Sequence, residues 1–308
     1  MSSTAFLFSG QGCQKPGMGI DFIEALESAK KIFDTASDIL GFDLAEKCRT
    51  ADETELAQTI ISQPAIMAVS LAAYEAVKEK GISACALAGH SLGEYAMMTA
   101  AGMIDVPDAF RIIKARAAAM QKCAESSDGA MYAVRGNDTA LIEKICSETE
   151  GYVVPVNYNS DSQTVIAGES SAAEKAAGKF TELGIRCKKL NVTAAFHSKL
   201  MQQAADDFYD SIKDFEFKAP QIPVYSNISG KLLEFPDDIP ARLAKHIVSP
   251  VRFTSQLRAM QESGIDTFIE LGPGKVLTGL VKKTLTDVTA INIENSTTLE
   301  NALEAGVK

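Results

Sequence analysis

Basic residues are in deficit: 30 Lys and Arg stand against 40 Asp and Glu, a formal net charge of −10. Affinity for a phosphate backbone is built from clustered Lys and Arg, so no nucleic-acid partner is expected. An acidic protein partner stays compatible, provided basic residues gather locally. The six cysteines (13, 48, 85, 123, 146, 187) are scattered, with no C-x-x-C and no histidine pair beside them. Neither a zinc site nor a disulfide framework follows from that pattern, and the thiols read as reduced core residues. No basic segment precedes the first apolar run, and the longest nearly apolar stretch, "PAIMAVSLAAYEAV" from Pro64, reads as too short to span a bilayer. No membrane partner and a cytoplasmic location are therefore expected. Internal repeats and low-complexity tracts are missing as well.

What is present is a 308-residue chain, 46% hydrophobic, long enough to bury one large core or a large and a smaller one. "TAFLFSGQG" is a short apolar strand entering a glycine loop, and a helical run from Ile20 through Leu40 follows it. A second helical run, Gln63 to Lys80, leads into "ISACALAG" as a strand of small residues and then into the helix "GEYAMMTAA". Such alternation predicts an α/β fold with a mainly parallel sheet covered on both faces. After Lys122 the order changes. "GAMYAVRG", "DTALIEKICSETE", "YVVPVNYN", "QTVIAG", "SAAEKAAGKFTELG" and "RCKKLNVTA" read as strand, helix, strand, strand, helix, strand, the βαββαβ order of a ferredoxin-like unit. The expected division is a small subdomain at 125–195 inserted into a large one made of 1–124 and 196–308, which resumes through "IPVYSN", "DTFIELG" and "TAINIEN" as strands.

Gly89-His90-Ser91-Leu92-Gly93 fits G-x-S-x-G between a strand and a helix, the setting of a nucleophile elbow. The glycines suit a turn too sharp for side chains, and the turn lifts the serine hydroxyl off the sheet. A serine nucleophile needs a base, and there are only three histidines to supply one. His90 adjoins Ser91, where a sharp turn points neighbouring side chains apart. His246, in "LAKHIVSP", reads as a structural residue near a helix end. His197, in "TAAFHSKLM" where the chain returns to the large subdomain, is the expected base. An oxyanion needs two N–H donors: Leu92 supplies the first, and the loop "SGQGCQ" offers Gln11 for the second, with a plain strand-to-helix connection an equally good reading of that loop.

The helix beginning at Pro107, a residue favoured in a first helical turn, sets Ala109, Ile113, Met120 and Cys123 on one face and Arg111, Lys114, Gln121 and Lys122 on the other. Arg116 falls in the middle of the apolar face. A snorkelling side chain or a structural ion pair would account for it; so would an anion brought by a substrate, since a guanidinium fork matches a carboxylate through two parallel hydrogen bonds. If this helix borders the serine, the acyl donor carries an acid tail.

Taken together, "FLFSGQGCQKPGMG", "GHSLGEY", the arginine helix, "VNYNSDSQTVIAG", "AFHSKLM", "SPVRF" and "ELGPGKVLTGL" resemble, in order and over nearly the whole chain, the malonyl-CoA:acyl-carrier-protein transacylases and the related acyltransferase domains of polyketide synthases. The resemblance implies a hydrolase-like α/β core with a ferredoxin-like subdomain, and transfer of a malonyl group from malonyl-CoA to the phosphopantetheine thiol of acyl carrier protein, with no cofactor and no metal. It makes Ser91 the acylated nucleophile, His197 its base, Gln11 and Leu92 the oxyanion donors, and Arg116 the malonyl clamp, with Met120 and Phe196 in the acyl pocket. It also implies that a main-chain carbonyl orients the histidine, and by position in "SPVRF" that carbonyl is Arg252's. Cys13 stands where serine is commoner, and "AAFH" lacks the histidine that often opens its motif. Phe196 would occupy the space of an α-methyl group and so favours malonyl over methylmalonyl. The acidic carrier protein calls for a local basic surface; Lys188, Lys189 and Lys275 are candidates, with Lys282 and Lys283 foremost. Two rivals remain: a serine hydrolase of acyl thioesters, and a non-catalytic scaffold that binds carrier protein. "ELGPGK" lacks Walker spacing and reads as a strand-exit turn.

Overall fold

The computed structural model describes residues 3–192, 194–235 and 238–307. The chain starts with β1 (Thr4–Phe8), α1 (Ile20–Ala25), α2 (Glu27–Leu40), α3 (Leu44–Thr50), α4 (Glu53–Leu56), α5 (Thr59–Glu79), β2 (Ala86–Gly89), α6 (Gly93–Ala100) and α7 (Val106–Ser126). It continues with β3 (Gly129–Arg135), α8 (Thr139–Ser147), β4 (Val153–Ser160), β5 (Gln163–Glu169), α9 (Ser170–Glu182) and β6 (Arg186–Lys189). The remainder is α10 (Gln202–Ile212), β7 (Val224–Tyr225), α11 (Ile239–Ile247), α12 (Phe253–Glu262), β8 (Thr267–Leu271), α13 (Val276–Thr284), β9 (Thr289–Ile293) and α14 (Ser296–Glu304).

One sheet has the order β7-β2-β1-β8-β9, and every pairing in it is parallel. Its central strand, "TAFLF", is buried along its whole length, as a parallel strand covered on both faces must be. The other sheet, β4-β5-β3-β6, is antiparallel, and α8 and α9 pack on one of its faces around Phe180, Val134 and Ile166. This is the expected α/β fold with a ferredoxin-like unit. Met131 and Ala133, pointing to the opposite face of that sheet, join the core of the parallel-sheet layer.

Three local expectations need correction. The run from Ile20 to Leu40 is two helices, because Leu26 turns extended (φ −132°, ψ 121°) between them. The apolar run at Pro64 belongs to a helix that begins at Thr59 and reaches 21 residues, long and apolar enough to cross a membrane; it is instead a core helix, 83% of its most apolar window being buried inside the protein. The strand expected over "RCKKLNVTA" ends at Lys189, and Thr193 lies outside the described residues.

Candidate active site

The carboxyl ends of the parallel strands carry the site, as they do in open α/β sheets generally. β2 ends at Gly89, the chain turns sharply, and α6 begins at Gly93. Ser91, at the apex, has φ 52°, a left-handed conformation that side chains other than glycine rarely adopt and that costs ~1–3 kcal/mol. Both flanking glycines are required by space. A Cβ on Gly89 would lie 2.2 Å from the Gly93 carbonyl carbon, and one on Gly93 would lie 2.2 Å from the Phe8 carbonyl oxygen. Asn227, completely buried just after β7, holds the turn: its Oδ1 accepts the Ser91 N–H at 2.7 Å and its Nδ2 donates to the Gly89 carbonyl at 2.6 Å.

Ser91 Oγ lies 2.8 Å from His197 Nε2, although 106 residues separate the two in sequence. His197 also has a positive φ, 63°. Its Nδ1 faces two backbone carbonyls, those of His246 and Ser249, each at 3.1 Å. Carbonyls only accept, so the proton sits on Nδ1 and Nε2 is left to take the serine proton. This corrects the expectation for Arg252: its carbonyl accepts the Gln256 N–H at 3.1 Å at the start of α12, while α11 and the turn after it carry the carbonyls that orient the imidazole. Burial, reinforced by the nearby Arg116 charge, lowers the His197 pKa to about 3, so the ring rests neutral.

Arg116 is 1% exposed. Its Nη1 donates to Gln63 Oε1 at 2.8 Å and its Nη2 to Ser91 Oγ at 3.3 Å; Nε has no partner. No carboxylate forms an ion pair with it among the described residues. Glu94 acts on its charge through the core without pairing with it directly; a buried cation with no direct ion pair, beside a nucleophile, is arranged to receive an anion. Helix α7 places it there: Asp105 caps the first turn by accepting the Asp108 N–H, Pro107 follows, and Arg116 lies three turns on, among Ile112, Ile113 and Met120.

Ser91 and His197 open into a cleft of about 580 Å³ lined by Gln11, Met120, Met131, Asn157 and Phe196 among others. Gln11 lines the cleft and Leu92 is buried directly after Ser91, and neither backbone N–H has an acceptor among the described residues. Met120 and Phe196 form apolar wall, and Gln63 Nε2 approaches Met120 Sδ at 3.5 Å. Cys13 turns its thiol back to the Gly10 carbonyl at 2.9 Å, and burial pushes its pKa up, so the change from serine leaves a protonated hydrogen-bond donor in the loop. His90 points aside, its Nε2 2.8 Å from Asn159 Oδ1 and its ring edge-on to Phe253. The "ELGPGK" turn is held by Glu270, whose carboxylate accepts the Leu277 and Thr278 N–H groups at the start of α13. Lys282 and Lys283 are exposed in the last turn of α13 and do not line the cleft; Lys283 borders a separate depression with Arg135 and Gln163. Lys188 and Lys189, also exposed, end β6 immediately before Leu190–Val192 on the cleft rim.

Gln63, Asn227 and Glu94 escape sequence reading. All three are buried polar residues; Gln63 and Glu94 interrupt largely apolar helical runs, and that incongruity is the signal that could have found them, whereas Asn227 sits in the polar stretch "YSNISG" and gives none.

An acyl transferase domain model matches residues 5–301. The chain is 37% identical to the malonyl CoA-acyl carrier protein transacylase of Bacillus subtilis strain 168 over 99% of this chain and 97% of that one. It is 38% identical to that of Escherichia coli strain K12, over 99% and 100%. The crystal structure of the Clostridium perfringens transacylase superposes with a TM-score of 0.94 at 36% identity, covering 99% of this chain and 97% of that one. A malonyl-transacylase in complex with its type II PKS acyl-carrier protein gives 0.94 at 37%, covering 99% and 100%. With full-length similarity of this degree and a shared fold, the chain belongs to the malonyl-CoA–acyl carrier protein transacylase family.

Proposed function

We propose that Ser91 carries the malonyl group in a two-step transfer from malonyl-CoA to the phosphopantetheine thiol of acyl carrier protein, the activity that supplies extender units to fatty-acid or polyketide assembly. The observation that carries this reading is the sharing of one oxygen: Ser91 Oγ is 2.8 Å from a neutral imidazole nitrogen and 3.3 Å from a buried guanidinium whose Nε has no hydrogen-bond partner. Arg116 takes the malonyl carboxylate and thereby brings the thioester carbonyl to Oγ. The Ser91 proton passes to His197 Nε2 as Oγ bonds to the carbonyl carbon, and the Gln11 and Leu92 N–H groups receive the oxyanion. The C–S bond breaks, and CoA leaves with the proton from His197. In the second half the carrier thiol gives its proton to His197, its sulfur attacks the ester, and Ser91 recovers its hydrogen.

The hydrolase alternative has less support, since among the described residues no carboxylate contacts His197 and a buried guanidinium suited to an acid tail reaches Ser91 Oγ. The cytoplasmic location expected from the sequence fits the bacterial relatives and the burial of α5. Intact-protein mass spectrometry after brief exposure to malonyl-CoA tests the assignment: the wild type gains one malonyl mass and Ser91→Ala gains none. Equal labelling of the two would refute it.

A further inference from the structure

Among the described residues, no carboxylate stands on the far side of the His197 imidazole, where many serine-histidine sites have one. One is nevertheless built into the same core, one side chain further out. Glu94 sits in the first turn of α6, three residues after the nucleophile, and is 4% exposed. Its Oε2 lies 3.2 Å from His246 Nδ1. The His246 ring, fully buried, packs against the His197 ring with centroids 5.2 Å apart, and its backbone carbonyl is one of the two that hold His197 Nδ1. On the other side, Glu94 Oε1 accepts the Asn227 N–H at 2.6 Å, and Asn227 in turn holds the Ser91 N–H. One carboxylate therefore reaches both halves of the dyad, each through a single residue.

A carboxylate so far from water is costly unless its charge is used or paired, and a neutral residue would fill the place without that cost. The groups facing His197 are Arg116 from α7, His90 from the elbow and His246 from α11; Arg242, also on α11, and Arg116 both act on Glu94. Of these only Glu94 can be negative. His197 becomes an imidazolium each time Ser91 gives up its proton, close to the Arg116 guanidinium and with two neutral carbonyls at Nδ1. Neither His246 ring nitrogen has a hydrogen bond in the resting geometry, so Glu94 Oε2 is the acceptor within reach of Nδ1. Burial and the surrounding cations keep His246 neutral.

We propose that Glu94 is a positioning residue and the remote charge partner of the dyad: ionised, it sets its charge against the Nδ1 edge of a neutral His246 and through that ring stabilises the His197 imidazolium, while through Asn227 it fixes the elbow. This rests on the transfer described above. Glu94→Gln keeps the shape and the acceptor for Asn227 but removes the charge. Loss of a directly bonded acid costs about 10⁴-fold; at one residue's remove, the acylation rate at saturating malonyl-CoA should fall roughly 10–100-fold. The donor KM should be unchanged, and the acid limb of the rate profile should move to lower pH by about one unit. In the wild type, ¹⁵N-histidine NMR at neutral pH should show His246 uncharged with its proton on Nδ1. Normal acylation by folded Glu94→Gln with an unmoved acid limb overturns the proposal. So does a charged or Nε2-protonated His246 in the wild type, which decides the matter even where the variant fails to fold. Ser91→Ala separates the two levels: labelling of that variant sinks the transfer reading itself, whereas an unlabelled Ser91→Ala beside a fully active Glu94→Gln sinks only the role of Glu94.

Discussion

Replacing Arg116 by methionine should divide binding from stability. The side chain is buried, spends one N–H on Gln63 and directs another at Ser91 Oγ. A donor carboxylate meeting it would gain two charge-assisted hydrogen bonds, each worth ~1.5–3 kcal/mol net. Removing one partner of such a buried pair typically costs ~2–5 kcal/mol, because the other is left unpaired. Taking ~3 kcal/mol, kcat/KM for acylation by malonyl-CoA should fall about 150-fold. Acetyl-CoA has no carboxylate to lose, so its slow acylation should change by no more than about threefold. Stability should change little: a neutral side chain of similar length replaces a buried cation that has no direct ion pair, and the relief of its desolvation offsets the loss of the Gln63 hydrogen bond and of the charge facing Glu94. Single-turnover acylation followed by intact mass, alongside thermal melts, checks all three. If both donors slow by the same factor, Arg116 acts by shaping the elbow; if the malonyl rate is unaffected, its role in holding the acid tail is refuted.

Two further outcomes follow from the charges. His197 and His246 are buried and His90 half-buried, all with pKa lowered first by loss of solvation, so the unfolded chain binds protons that the folded one refuses. Their contribution is fully present above the ordinary value of 6.5 and is lost as pH falls; for His197 the window runs down to about 3, a loss on the order of 5 kcal/mol. Glu94 and Glu270, whose pKa values burial raises, oppose this by regaining stability as they protonate. The melting temperature should therefore begin to drop below about pH 6.5, with a shallower slope in His197→Gln; a melting temperature that rises from pH 7 to 5.5 contradicts the burial argument. Reversing Lys282 and Lys283 to Glu should raise the KM for carrier protein several-fold at low salt and leave the malonyl-CoA half-reaction unchanged; an unaltered carrier KM rules out docking there.

Much was legible in the sequence because it is local. The G-x-S-x-G spacing dictates the elbow, since only glycine fits where Gly89 and Gly93 approach backbone. The apolar periodicity of α7 places Arg116 inward, and the order of strands and helices from Gly129 to Lys189 yields the antiparallel unit. What tertiary structure alone decided has no side-chain signature. Any residue can present a backbone carbonyl, so motif position pointed to Arg252, while packing of α11 against the elbow brought those of His246 and Ser249 to the imidazole. Likewise Gln63, Glu94, Asn227 and His246 are polar residues whose partners come from elements far apart in sequence, and their pairing exists only once the core excludes water and leaves each no other partner.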